Sequence, residues 1–285
     1  MVVITPQDAA ERFPSVFKGR KWLFHLAAWL TGIDKVNAVH DRVDKAGTAY
    51  GPDFAKGLMQ DLEIDFRIGH AERLSQLPDG PFIVIANHIY GHIDGICLLD
   101  IIGERRPATK VMVNEMLTWI PGLAPSFIAV NPTVGSRQSA SATSINGVKK
   151  ALLQLRAGEP LCIFPSGAVA DLKPREGWTL SEREWQDAAI RLIQKARVPV
   201  IPVRFFDRNS RFYYFLGLLD YRIRFVRLFH EMFNKHGQTP RMGIGEVISV
   251  QEQEKYTDLQ EFKAFLRSSV YDMPLPESFV NRSQL

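Results

Sequence analysis

The residues able to do chemistry concentrate in one stretch, PFIVIANHIYGHIDGICLLDII, running from Pro81 to Ile102. An unbroken apolar run, Phe82–Ala86, stops at Asn87-His88; a turn containing Gly91 follows, and a helix is expected from near Ile93. In open α/β sheets ligands gather beyond the carboxyl ends of the strands, so His88 stands where a general base is useful. Asp94, six positions on, is brought back toward it if the chain turns at Gly91. A carboxylate on one ring nitrogen fixes the imidazole tautomer and leaves the other nitrogen to take a proton. Two other readings fit the same spacing. His88, His92 and Asp94 are types and intervals that suit a metal-dependent hydrolase, although His25, His40, His70, His230 and His236 are scattered and add no cluster. The histidine is also a candidate for a purely structural hydrogen bond.

A second feature is EPLCIFPSGAVADL, where an apolar run meets Pro165-Ser166-Gly167. Small-residue turns at strand ends offer backbone N–H groups to an anion or an oxyanion. Ser166 as a nucleophile lacks its usual frame, because Phe164 occupies the first glycine of a Gly-x-Ser-x-Gly elbow. An ordinary β-turn remains open.

The elements that must hold these residues follow from periodicity. The first 60 residues read as helices, with Trp22, Leu23, Leu26, Trp29 and Leu30 at helical spacing. Strands are expected in LEIDFRI, PFIVIAN, TKVMV, SFIAVN, EPLCIFP, VPVIPVRFF and RMGIGEV, and helices near 93–104, 137–157, 181–196, 212–235 and 257–270. FIVIA, LCIFP and VPVIPV are apolar throughout, which is the pattern of strands buried on both faces. The fold class expected is α/β: one layered domain (61–285) with a mostly parallel or mixed central sheet flanked by helices, preceded by an N-terminal helical cap (1–60).

Composition bounds the remainder. With 46% hydrophobic residues and 285 positions the chain can bury an ample core. Two cysteines in apolar runs, Cys97 and Cys162, suit buried thiols rather than a disulfide scaffold. No segment is long and apolar enough for a membrane span and no secretory signal is evident, so a cytoplasmic protein is expected. Glycine-rich nucleotide motifs are absent, which disfavours redox and kinase classes. Between Arg204 and Arg227 stand six arginines and two acids, a surplus equal to the net charge of the whole chain, +4, and interleaved with aromatics. Such a segment suits an anionic lipid surface; nucleic-acid stacking and a buried aromatic face are the alternatives.

Taken in order, Asn87-His88 with Asp94-Gly95, FIAVNP (Phe127–Pro132), IFPSG (Ile163–Gly167) and VPVIPVRF (Val198–Phe205) resemble the lysophospholipid acyltransferase superfamily, the group that includes 1-acylglycerol-3-phosphate acyltransferases. The resemblance is nearer to its hemolysin-like branch, linked to O-acylation of amino-acid lipids such as ornithine or glycine lipids. It extends through DRNSRFYYFLGLL and RMGIGEVI, covering about residues 30–250. It implies His88 as base and Asp94 as its orienting carboxylate, with Asn87, Gly95, Asn131, Phe164, Pro165, Ser166, Gly167 and Arg204 around the substrates. It further implies acyl-CoA or acyl carrier protein as co-substrate without metal or cofactor, a membrane lipid acceptor without nucleic acid, and attachment to the inner face of the cell membrane. Two departures matter. Five residues rather than four separate His88 from Asp94, as in that branch, and Ser166 replaces the glutamate of most members. The second departure suits an acceptor bearing its own carboxylate, with Arg137, Arg175 and Arg204 as candidate counter-charges.

Overall fold

The computed structural model describes residues 5–12, 18–131 and 142–285, with the backbone alone for a few helical positions. Four helices open the chain: α1 (Pro6–Arg12), α2 (Lys21–Thr31), α3 (Ile33–Lys45) and α4 (Pro52–Asp61). Strands and helices then alternate: β1 (Arg67–Gly69), β2 (Ile83–Ala86), α5 (His92–Gly103), β3 (Lys110–Asn114), β4 (Phe127–Val130), α6 (Ala142–Arg156) and β5 (Leu161–Ile163). A small hairpin, β6 (Asp171–Lys173) with β7 (Thr179–Ser181), leads into α7 (Asp187–Ala196) and β8 (Val200–Phe205). The chain ends with α8 (Arg211–Leu219), α9 (Tyr221–Phe233), β9 (Arg241–Ile244), α10 (Val250–Gln253), α11 (Leu259–Tyr271) and β10 (Val280–Asn281).

The main sheet has the order β10-β1-β9-β8-β2-β5-β3-β4. All pairings are parallel except β1 with β10 and β8 with β9. The α/β class with a mixed, mostly parallel sheet is therefore as expected. β2 lies at the centre and is buried along its whole length. Because successive side chains point to opposite faces, Val84 and Ala86 join a core with α3, α4 and α5, while Ile83 and Ile85 join one with α6, α7 and α11. That is the physical reason the run FIVIA is apolar throughout. Gly147 lets α6 lie directly on β4: a Cβ there would stand 2.4 Å from the Ala129 carbonyl oxygen.

Four features differ from the sequence expectation. The β6–β7 hairpin and β10 fall in stretches too short and polar to register as strands. The expected helix 212–235 is two helices, broken at Asp220, whose backbone is extended (φ −159°, ψ 131°). The helix expected from 181 starts at Asp187, after β7 has ended at Ser181. Finally, Arg282, just beyond β10, reaches back to α5 and grips the buried Asp100 with two hydrogen bonds of 2.8 and 3.0 Å.

Candidate active site

β2 ends at Ala86, and the two residues that follow, Asn87 and His88, stand at the carboxyl end of the sheet. The chain then reverses at Gly91, whose φ of +92° favours glycine and where a Cβ would meet Leu228 at 3.0 Å. The turn aims the first turn of α5 back at the strand end. Asp94, completely buried, accepts from the backbone N–H of Tyr90 (2.9 Å) and of Gly91 (3.0 Å). The same oxygen, Oδ2, lies 2.8 Å from His88 Nδ1. A carboxylate accepts only, so Nδ1 is the donor and Nε2 is left with its lone pair. The ring is held from the side as well, stacked on Phe164 at 4.4 Å between centroids. One residue in five intervening positions thus does the folding: the left-handed glycine closes the longer His-to-Asp interval.

His88 opens on a cavity of about 310 Å³ lined largely by apolar side chains, among them Ile96, Met112, Leu117, Phe127, Val148 and Leu192. An oriented base facing a greasy cleft suits proton removal from a hydroxyl next to an aliphatic chain. His92 lines the cleft but is not oriented for the same work. It stacks on Phe229 (4.7 Å, 9° between planes), its Nδ1 is buried without a hydrogen bond, and burial pushes its pKa down to about 4. Among the described residues no group of three His, Cys, Asp or Glu is arranged to hold a metal.

A family model described as "Acyltransferase" matches residues 66–205. Two relatives named "Lyso-glycine lipid O-acyltransferase" align with most of the chain. The one from Bacteroides thetaiotaomicron is 25% identical over 248 residues, covering 84% of this chain and 85% of that protein. The one from Phocaeicola vulgatus is 26% identical over 230 residues, covering 78% of each. Residues 66–205 are thus similar to the acyltransferase family, and the two relatives extend that similarity over most of the chain. Among solved structures, the 1-acyl-sn-glycerophosphate (LPA) acyltransferase PlsC from Thermotoga maritima matches with TM-score 0.49 and 17% identity, over 82% of this chain and 78% of that one.

The other expected substrate contacts divide. Gly95, Asn131, Phe164, Pro165 and Gly167 line the His88 cleft. Asn131 also holds Glu115 through its amide (2.9 Å). Asn87 and Arg204 line a different cavity. The Asn87 amide is spent on the backbone of Phe205, donating to its carbonyl (2.9 Å) and accepting from its N–H (2.7 Å), which pins β2 to β8. Ser166 is buried, its hydroxyl donating to the Ala168 carbonyl at 3.0 Å. The Gly167 N–H, a candidate oxyanion donor from sequence, instead closes the turn onto the Phe164 carbonyl (3.0 Å). Of the three arginines considered for an acceptor carboxylate, Arg137 falls outside the described residues, Arg175 is exposed beside the small hairpin, and Arg204 is in the second cavity. Arg183 and Arg224 are the arginines that line the cleft.

Sequence reasoning missed Glu182. It is 2% exposed, accepts from the His88 backbone N–H, and takes the Trp185 indole N–H at 3.3 Å. Burial pushes its pKa up, an effect its hydrogen bonds oppose. Nothing in LSEREW distinguishes it from a solvated acid at a helix entrance; only the hairpin's return path against the Asn87–His92 loop reveals its contact with His88.

Proposed function

We propose that this chain is an O-acyltransferase that moves a fatty acyl group from a thioester, acyl-CoA or acyl carrier protein, to the hydroxyl of a lyso-lipid with an amino-acid headgroup at a membrane surface. The observation that carries the reading is the His88–Asp94 pair opening onto an apolar cleft. The free Nε2 of His88 takes the proton of the acceptor hydroxyl as its oxygen attacks the thioester carbonyl. Asp94 keeps the ring in the required tautomer and offsets the charge of the imidazolium. Collapse of the tetrahedral intermediate breaks the C–S bond and expels the thiolate, which takes the proton from the His88 imidazolium to leave as the free thiol. The thioester is already activated, so no enzyme nucleophile is needed.

The two lyso-glycine lipid relatives support the acceptor class, and Ser166, where most members of the resembled family carry glutamate, means that the Pro165–Gly167 turn adds no carboxylate to repel one on the acceptor. Arg183 at the cleft supplies an opposing charge. The aromatic residues Trp22 and Trp29 on α2, with Phe212, Phe215 and Leu219 on α8, are exposed and form the membrane-facing surface in this reading. No described helix is long and apolar enough to cross a membrane, which leaves peripheral attachment at the inner face as the corresponding mode.

The decisive experiment supplies purified protein with labelled acyl-CoA or acyl carrier protein and compares a 3-hydroxyacyl glycine acceptor with lysophosphatidic acid. Transfer to the glycine acceptor, abolished in His88→Ala, is expected. Preference for the phosphate lipid overturns the headgroup assignment, and full activity of His88→Ala overturns the mechanism.

A further inference from the structure

The loop from Asn87 to His92 is a wall between two cavities. His88, Gly91 and His92 face the apolar cleft, whereas Asn87, Ile89 and Tyr90 face a second and larger one of about 890 Å³. This second cavity lies beyond the carboxyl end of β8, where Phe205–Arg208 leave the sheet, and is closed on its far side by the starts of β1 and β9. Its chemistry is opposite to that of the cleft. Five cations line it, Arg67, Arg204, Arg208, Lys235 and Arg241, against one acid, Asp207.

Most of that charge has no internal counterpart. Asp207 is taken by Arg241 in a two-pronged pair, closest contact 2.6 Å. Lys235, 4% exposed, has Glu231 at 3.7 Å and the Tyr90 ring beneath it among the described residues. Arg204 is steadied by backbone carbonyls of Tyr271 and Met273, and Arg67 by the Phe279 ring. Among the described residues none of Arg67, Arg204 and Arg208 has a carboxylate partner. Guanidinium forks match the oxygens of a phosphate, and a concave wall of low dielectric concentrates their field. A surplus of three fixed charges in one cavity calls for a ligand with more than one negative charge, and the volume leaves room for the body that carries it.

We propose that this cavity binds a phosphate-bearing group, on the opposite side of the catalytic loop from the acyl cleft. The group has two available sources: the nucleotide end of a thioester carrier, or an anionic phospholipid headgroup. The proposal stands independently of the acyl-transfer reading, because its readout is binding.

The full chain is titrated calorimetrically with inorganic pyrophosphate, adenosine 3′,5′-bisphosphate and dihexanoyl phosphatidylglycerol. At least one probe is expected to bind, with affinity weakened about tenfold or more in Arg67→Glu/Arg208→Glu and unchanged in His88→Ala. Arg208→Glu alone, at an exposed position without hydrogen bonds, is expected to weaken binding in the same direction, and it serves if the double variant does not fold. Tighter binding of the bisphosphate identifies the carrier as the source, and tighter binding of the lipid probe identifies the headgroup. Absence of binding by all three, equal affinity in the arginine variants, or loss in His88→Ala overturns the proposal.

Discussion

At the residue scale the site reduces to one carboxylate oxygen with three partners. Asp94 Oδ2 caps α5, fixes the turn and orients His88 together, so structure and chemistry cannot be separated by deleting the side chain. Asp94→Asn is nearly isosteric but presents a donor where the ring also donates. Turnover is expected to fall on the order of 10³-fold or more with modest change in substrate KM, measured by steady-state kinetics. His92→Ala is expected to cost far less, because its ring faces Phe229 rather than the Asp94 oxygen.

His92 matters for stability instead. The His40 ring is buried and the His92 ring, half-buried at the cleft, has its Nδ1 enclosed; removal from water lowers both from 6.5 to about 4. In the unfolded chain they take protons near 6.5, so between 6.5 and 4 the unfolded state binds more protons than the native one. Stability is therefore complete above pH 6.5 and is lost as the pH falls toward 4. Between about pH 7 and about pH 5 each ring accounts for up to about 2 kcal/mol at 1.36 kcal/mol per pH unit. Urea midpoints across that range are expected to fall less steeply for His92→Phe than for the parent.

At the element scale the loop that joins His88 to Asp94 depends on one backbone conformation. Gly91→Ala forces a Cβ into the left-handed region and against Leu228 of α9. A loss of about 1–3 kcal/mol in unfolding free energy is expected, together with reduced turnover as Asp94 loses its aim; matched thermal unfolding and rates in parent and variant would contradict this. The same loop marks how far sequence reasoning reaches. His88, Asp94, the central strands and the turn at Gly91 were legible, because a buried strand ending in polar residues and glycine is a local signal. The break at Asp220, the hairpin after Ala170 and the partnership of Glu182 with the His88 N–H were not. The last is decided by a contact between segments far apart in the chain, Glu182 standing 94 positions from the backbone group it receives. The Arg204–Arg227 run was legible as charge but not as orientation: Arg224 is 4% exposed, bonded to Asp171 at 2.6 Å, and Tyr213 and Tyr214 are core.

At the scale of the whole molecule, Trp22, Leu26 and Trp29 on α2 and Phe212, Phe215, Leu218 and Leu219 on α8 are exposed, and α9, whose Leu228 lines the His88 cleft, packs against both helices. If this face meets lipid, flotation with phosphatidylglycerol vesicles is expected to carry the protein, to weaken with added salt, and to drop about tenfold or more in Trp22→Ala/Trp29→Ala. Salt-independent flotation, or none, removes the membrane assignment.

The grip of Arg282 on Asp100 has a mechanical consequence. α5 begins at the catalytic turn and carries Asp100 two turns later, so the chain's final segment acts as a bolt on the rear of the helix that presents Asp94. Withdrawing the bolt strands a negative charge in an oily interior, a loss of about 3–5 kcal/mol by precedent for such broken pairs. Arg282→Leu should therefore loosen amide protons along α5 as well as in the tail, and hydrogen exchange would register both regions opening as one unit.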